Sequence, residues 1–327
     1  VENPRLAARC VFSRIQGDLT LDIPPLEVPS SDARGWRAVA RVLRSPLDDL
    51  GGVLFPSSCR LCSDPLLRVS HTPVCENCIA RIQLQQNSLC PNLCQLCGES
   101  LGFESWRPAG QQMCKMCRLA PPPFVRAVAY GVYQDEMRSM LHLLKYEGVR
   151  AVAKPLGRML AAAIVSLRAE APPELLVLAV PLFPAKERQR GYNQTVLLAE
   201  EALRLLRRKQ PEWGLRPAHG LLLRRRSTET QFQLSPAARR TNLRGAFFVP
   251  RPEQLHGKAV LLLDDIYTTG ATARECTRTL LRAGATSVRV ATLSRAQRQI
   301  ATVWDEASFA ASVHSRQATG VWQNDQF

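Results

Sequence analysis

The chain has 327 residues, 46% of them hydrophobic, with 43 Lys/Arg against 28 Asp/Glu and a net charge of +15. That length can bury at least one sizeable core and accommodates two domains, which excludes a bare zinc module. No apolar run approaches the span of a bilayer and no signal-like segment opens the chain, so a cytoplasmic protein without a membrane partner is expected, while the cation excess points to a polyanionic partner. The excess is clustered: residues 181–245 carry 14 Lys/Arg against 5 Asp/Glu. A generally arginine-rich composition would explain the total charge but not its clustering.

Residues 1–50 contain Pro24-Pro25 and Ser30-Ser31 and show little periodicity beyond a short amphipathic stretch from Trp36 to Leu43. They read as a largely disordered extension that carries no chemistry. Residues 51–120 differ sharply. Four Cys-x2-Cys pairs, Cys59/Cys62, Cys75/Cys78, Cys94/Cys97 and Cys114/Cys117, fall in this one segment. Each pair sets two thiolates on one side of a turn, and two pairs complete a tetrahedral Zn²⁺ shell. The eight thiols predict two structural zinc ions in a double zinc-ribbon segment, with Gly98 easing the turn after Cys97. A disulfide framework is the alternative, and regular Cys-x2-Cys spacing without a secretion signal argues against it. Sequential pairing, 59/62 with 75/78 and 94/97 with 114/117, is expected, with an interleaved arrangement as the alternative. Cys90 reads as a spare thiol that could compete for the second site, and Cys10 and Cys276 as structural.

Pro121-Pro122-Pro123 forms a stiff hinge, after which residues 124–296 read as the domain that carries chemistry. Phe124 to Tyr133 predicts two short strands about Gly131. Glu136 to Tyr146 predicts a helix with Met137, Met140, Leu141 and Leu144 on its apolar side, and Lys145 in its last turn reads equally well as a dipole partner or a functional cation. Val152 to Leu167 predicts a second amphipathic helix and Leu175 to Val180 a buried strand. Beyond Pro181-Leu182-Phe183-Pro184, the cations Lys186, Arg188 and Arg190 alternate in what reads as a loop, and Gly191-Tyr192-Asn193-Gln194 opens a helix running through Leu206. Residues 224–245 are polar, cationic and without a clear period, as suits a mobile lid. Phe247 to Val249 resumes strand character, Thr272 to Arg282 predicts a helix stopped by Gly284, and Ser287 to Leu293 the next parallel strand. Residues 297–327 lose pattern and read as a loose tail.

The chemistry concentrates in the stretch from Val260 to Thr272. Four consecutive apolar residues, Val260 to Leu263, cannot alternate in and out and predict a strand buried on both faces. Asp264 and Asp265 then fall at its carboxyl end, where ligand crevices of open α/β sheets lie. Thr268, Thr269 and Thr272 supply hydroxyls, Gly270 a tight backbone and the following helix an anion-accepting N-terminus. Two acids beside a phosphate would repel it, which directs them to ribose hydroxyls or a bridging Mg²⁺. Lys186, Arg188, Arg190, Asn193 and Gln194 should stand on the same rim, a cationic loop and helix start that suit a further anion. Acids favouring a helix dipole, and a solvated basic face, are the plainer readings of the two stretches.

The run Asp264-Asp265-Ile266-Tyr267-Thr268-Thr269-Gly270-Ala271-Thr272 resembles the phosphoribosyl-pyrophosphate (PRPP) loop of type I phosphoribosyltransferases. From about Val53 to Arg295 the chain resembles the ComF/ComFC family, a double zinc ribbon followed by a phosphoribosyltransferase domain. The zinc pairs, Leu144-Lys145-Tyr146, Val180-Pro181-Leu182, Arg190-Gly191-Tyr192-Asn193-Gln194 and the run through Thr228, Gln231, Leu234, Ser235, Arg239 and Asn242 carry that resemblance together with the loop. The family more often has Phe at the position of Tyr192 and an acid at that of Ala238. The resemblance implies an α/β, Rossmann-like parallel sheet, with Asp264 and Asp265 at the ribose, Thr268 to Thr272 at the 5′-phosphate, and Lys186, Arg188, Arg190, Asn193 and Gln194 at the pyrophosphate. It implies a flexible lid carrying Thr228, Gln231, Arg239 and Asn242, PRPP with Mg²⁺ as ligand, and a part in natural transformation. There the protein would handle incoming single-stranded DNA beside the competence helicase and the recombination-mediator machinery.

Three functions compete. The first is an enzyme that transfers the phosphoribosyl group to an acceptor not identified by the sequence. The second is a non-catalytic adaptor that recognises PRPP or 5-phosphoribosyl ends, favoured by the scarcity of aromatics for a base clamp. The third is a purine or pyrimidine salvage transferase whose zinc segment is incidental.

Overall fold

An unbroken hydrophobic stretch must be covered on both sides, and the run from Val260 ends up at the centre of a five-stranded parallel sheet. The computed structural model describes residues 58–66, 72–88, 92–101, 112–226 and 243–297. The extension 1–50, Cys10, Cys90, the lid residues Thr228, Gln231, Arg239 and Asn242, and all but the first residue of the tail lie outside them. The described elements belong to one unit ending at Ala296. In chain order they are α1 (Glu76–Ser88), α2 (Lys115–Leu119), β1 (Arg126–Val132), α3 (Asp135–Tyr146), α4 (Ala153–Val165), β2 (Glu174–Ala179), α5 (Pro184–Arg190), α6 (Gln194–Lys209) and β3 (Gly214–Pro217). There follow β4 (Leu223–Arg224), β5 (Phe247–Phe248), β6 (Ala259–Tyr267), α7 (Ala271–Arg282) and β7 (Ser287–Arg295).

The sheet order is β1-β7-β6-β2-β3, with every neighbouring pair parallel. Strand β6 pairs with β7 through Ala259↔Ser287 to Tyr267↔Arg295 and with β2 through Leu176↔Val260 to Ala179↔Leu263. From β2 the chain passes through α6 outward to β3, whereas from β6 it passes through α7 the other way to β7. The carboxyl ends of β2 and β6 therefore flank a topological switch point, the place where open α/β sheets form a ligand crevice.

Alternation along β6 divides the core. Leu261 and Leu263 pack with Leu141, Leu144, Leu156, Leu160 and Leu198 of α3, α4 and α6. Val260 and Leu262 pack with Cys276 and Leu280 of α7 and with Phe247 of the small antiparallel pair β4–β5 on the other face. Helices α4 and α6 touch closely. A methyl on Gly157 would lie 2.4 Å from Glu201 Cβ and 3.2 Å from Leu198 O, so only glycine fits that crossing.

Several expectations are corrected. The two strands expected about Gly131 are one, because Gly131↔Ser294 and Val132↔Arg295 continue the pairing with β7 without a break. The second helix begins as a 3₁₀ turn, Arg150–Val152, and becomes α-helical at Ala153. The cationic loop holding Lys186, Arg188 and Arg190 is instead helix α5. Pro184 provides its first turn, and Gly191 ends it in the left-handed region at φ 80°. No helix among the described residues is long and apolar enough to cross a membrane.

The Gly157 contact gives a stability prediction. Gly157→Val is expected to lower unfolding free energy by about 1–3 kcal/mol, the usual cost of overpacking a tight contact, read from urea unfolding of the full chain.

Candidate functional site

The two acids lie within β6 and near its end, so consecutive side chains turn to opposite faces of the sheet. Asp265 faces α3 and α6. Its Oδ2 sits 2.9 Å from Lys145 Nζ, in the last turn of α3, and accepts from Gln194 Nε2 at 2.6 Å, in the first turn of α6. Arg190 Nη1 in turn donates to Gln194 Oε1. The side chains of Lys145 and Asp265 are 14% and 8% exposed, so little water screens the pair. Burial alone would raise the Asp265 pKa, but the Lys145 charge and the donors on its oxygen hold it below the usual carboxylate range. Asp264 turns toward Arg224 and Cys276. Burial, with the Asp265 charge beside it, pushes its carboxyl up to about 8. The two adjacent acids thus differ, the carboxyl of Asp265 held below the usual range and that of Asp264 raised above it.

After Tyr267 the chain leaves the sheet through Thr268, which is exposed, and half-buried Thr269 into α7. Gly270 is the N-cap of α7 at φ 74°, and Thr269 Oγ1 accepts from Ala271 N at 3.4 Å. Thr272 lies half-buried in the first turn. A first helical turn carries amides without intrahelical acceptors, so the segment from Thr268 to Thr272 has the form of an anion cradle. Glycine is required at 270 for more than its backbone: a methyl there would meet the Tyr267 hydroxyl at 2.1 Å.

Across the switch point stands α5. Lys186 and Arg188 are exposed and Arg190 is half-buried. Partial burial depresses the Lys186 pKa, and so do the neighbouring charges of Arg190, Arg224 and Lys145, with Asp265 opposing them. Cations from three elements, α3, α5 and β4, thus converge near the acids. Asn193 and Gln194, expected among the pyrophosphate donors, are buried and occupied within the fold. Asn193 caps α6 by accepting from Thr195 N at 2.9 Å and donates to Val180 O at 3.1 Å, while Gln194 holds Asp265. The basic cluster divides. Arg207, Arg208 and Lys209 occupy the last turn of α6, away from the strand ends that α6 leaves, where they complement its dipole.

The sequence left Lys145 undecided and passed over Tyr267 and Arg295. Lys145 carried a signal in retrospect, being the cation of an otherwise apolar helix end; Arg295 carried none, since its strand also holds Arg289, Thr292 and Ser294.

The cysteines form two clusters, Cys59/Cys62/Cys75/Cys78 and Cys94/Cys97/Cys114/Cys117, each with its four sulfurs within 4.8 Å of one another. Pairing is therefore sequential. Sulfur separations of 3.9 Å (Cys59–Cys78), 3.6 Å (Cys62–Cys75) and 3.7 Å (Cys97–Cys114) match the edge of about 3.8 Å that four thiolates describe around a zinc ion. The first pair of each cluster lies on a hairpin knuckle. Cys59 N donates to Asp64 O and Cys94 N to Glu99 O, each at 2.8 Å. Gly98 takes φ 70° in one knuckle and Ser63 φ 65° in the other. The second pair sits at a helix start, where Cys78 N donates to Cys75 Sγ and Cys117 N to Cys114 Sγ, each at 3.4 Å. Such N–H···S bonds stabilise thiolates, so an all-sulfur donor set with this geometry fits structural zinc.

The two clusters pack on opposite faces of the sheet. The first is joined to α3 by Arg60–Glu147 at 2.5 Å and Arg81–Glu136 at 3.3 Å. The second is joined to β1 by Ala127 N to Leu96 O at 2.9 Å and to β7 through Arg295.

A parallel sheet with acids, cations and a helix N-terminus at its switch point defines a phosphoribosyltransferase-type domain, and residues 221–314 match the phosphoribosyl transferase domain family. The chain is 33% identical over 242 residues to DNA utilization protein YhgH of Salmonella typhi, covering 73% of this chain and 97% of that one. It is 26% identical to competence protein F of Haemophilus influenzae, over 68% of this chain and 96% of that one, and 26% identical to competence protein ComFC of Bacillus subtilis, over 68% and 84%. It belongs to the YhgH/ComFC/competence protein F family.

Metal analysis of the purified chain is expected to find two zinc ions, and Cys62→Ser to leave one. A second expectation concerns pH. Folded Asp264 keeps its proton to about 8, whereas an unfolded aspartate releases it at about 4. Between those values the folded state binds more protons, so this group makes stability fall as pH rises. Asp265, with its lowered pKa, contributes stability above the unfolded value that is lost in acid. Asp264→Asn is expected to flatten the decline between about pH 5 and 8, measured as urea midpoints.

Proposed function

We propose that the crevice between the ends of β2 and β6 binds PRPP with Mg²⁺ and that the protein, like the relatives named for DNA utilization and competence, serves DNA uptake by holding single-stranded DNA. The observation that carries this reading is the cluster of Lys145, Gln194 and Asp265 beside the N-terminus of α7 at the switch point. Thr268, Thr269, Gly270, Ala271 and Thr272 receive the 5′-phosphate through first-turn amides and hydroxyls. Ionised Asp265 accepts from the ribose hydroxyls, and its charge stabilises positive charge that develops at C1′ when the bond to pyrophosphate loosens. Asp264, on the other face, is neutral below about pH 8 and adds no second negative charge near the phosphates. Lys145, Lys186, Arg188 and Arg190 attract the pyrophosphate, while Asn193 and Gln194 fix the helix and the acid rather than the ligand. Mg²⁺, when bound with PRPP, offsets phosphate charge.

The exposed cations of α5 extend this rim, and a DNA backbone bound there is held chiefly by phosphate contacts with little base preference. The setting is the cytoplasm, beside the competence helicase and recombination-mediator proteins.

Calorimetric titration with PRPP and Mg²⁺ is expected to show one site, and Lys145→Ala to weaken it by about 10- to 100-fold, as loss of a charged contact does. Absence of heat from the wild-type chain would overturn the assignment. Isotopic PRPP offered with bases and single-stranded DNA separates turnover from binding: product that disappears in Asp265→Asn means transfer. For DNA, Arg188→Ala with Arg190→Ala is expected to weaken a fluorescent oligonucleotide and to reduce the salt slope by about 1–2; an unchanged slope at moderate salt refutes the DNA site.

A further inference from the structure

Arg295, the last residue of β7, is 4% exposed and lies between the second cysteine cluster and the loop after β6. Its Nη1 donates to Cys97 O at 2.6 Å, and its Nη2 lies 3.6 Å from Cys97 Sγ and pairs with Glu99. The same guanidinium sits 4.3 Å from the centre of the Tyr267 ring, which is itself 6% exposed and edge-on to Phe124. Tyr267 in turn covers Gly270 so closely that no Cβ fits there. A second link runs in parallel. Arg274, in the first turn of α7, donates to Ala120 O at 2.7 Å and Pro121 O at 3.0 Å, just past the helix that holds Cys114 and Cys117.

The first link begins at the ligand Cys97 and ends on Gly270; the second begins three residues past the ligand Cys117 and reaches the same glycine through Arg274 N, which donates to Gly270 O at 2.9 Å. Among the described residues, the ion pairs beside the first cysteine cluster go to α3 and to its C-cap Glu147.

We propose that Arg295 and Tyr267 are positioning residues that couple the Cys94/Cys97/Cys114/Cys117 metal site to the loop from Thr268 to Thr272. Cys94, Cys97, Cys114 and Cys117 would hold the metal, which would keep their sulfurs together and with them the Cys97 carbonyl. That carbonyl orients the Arg295 guanidinium, the guanidinium orients the Tyr267 ring, and the ring holds Gly270 in its left-handed turn. A buried cation stacked on an aromatic ring is a stiff connection, since water competes for neither partner. Reciprocity follows from linkage: a ligand that orders the loop must tighten the second metal site by the factor by which that metal tightens the ligand. The inference rests on the reading of the loop as a 5′-phosphate site.

The test uses the full zinc-loaded chain, a weak chelator and a thiol-alkylating reagent, with the modified cysteines located by mass spectrometry, and ribose 5-phosphate as probe. Saturating ribose 5-phosphate is expected to slow alkylation of Cys94, Cys97, Cys114 and Cys117 by about fivefold or more and that of Cys59, Cys62, Cys75 and Cys78 by less than about twofold. Arg295→Lys is expected to keep both zinc ions and lose the selective protection. Equal protection of both clusters, or ribose 5-phosphate that binds by thermal shift and protects neither, overturns the coupling and leaves the phosphate site standing. Failure of ribose 5-phosphate to bind overturns the phosphate site and the coupling with it. Should Arg295→Lys not fold, the cluster-resolved rates of the wild-type chain decide the question alone.

Discussion

The ion pair between Lys145 and Asp265 is the contact on which the site depends. It ties the end of α3 to the end of β6, and Gln194 adds the start of α6 to the same oxygen. Two charges removed from water cost several kcal/mol each unless geometry and further hydrogen bonds compensate, so a pair buried this far is poor evidence of stabilisation for its own sake. It is better understood as a constraint on position. Three elements from separate parts of the chain must arrive together, because leaving either charge alone in that environment costs about 3–5 kcal/mol. The consequence is a buried carboxylate held below the usual pKa range at the carboxyl end of β6, where β6 leads toward the start of α7.

Around that contact the two cysteine clusters act as braces on opposite faces of the sheet. The first grips α3, which delivers Lys145, through Arg60–Glu147 and Arg81–Glu136. The second grips the end of β7 and the start of α7, which frame the threonine loop. A small metal module has little core of its own, and here each cluster shares the core of the sheet against which it lies, with Cys59, Cys78 and Ile82 on one side and Cys94, Cys97 and Cys117 on the other. The cysteine clusters and the larger domain are therefore joined by shared apolar surface as well as by named polar contacts.

The distribution of charge has two explanations rather than one. Lys186, Arg188 and Arg190 stand on α5, whose neighbouring cations lie near the acids at the end of β6. Arg207, Arg208 and Lys209 answer the C-terminal dipole of α6 on the far side of the sheet. Counting cations along the chain merges these groups, since a helix carries its two ends to opposite edges of the molecule.

Much was legible in the sequence where chemistry is local. The run Val260 to Leu263 predicted a strand covered on both faces, the Cys-x2-Cys pairs favoured close-set thiolate ligands over disulfides, and Gly270 before a helix announced a turn. Helix α5 was misread as a loop because alternation of three cations looks extended, while Pro184 and Gly191 close a helix of two turns around them. Other features required the tertiary fold. Pleating sends adjacent Asp264 and Asp265 to opposite faces, so their unequal protonation depends on which neighbours each face supplies. The partner of Asp265 lies 120 residues earlier in the chain, and Arg295 meets Cys97 across 198 residues. Periodicity and spacing report what a residue's own segment will do; long-range contacts arise only when the parallel sheet brings its strand ends to one edge.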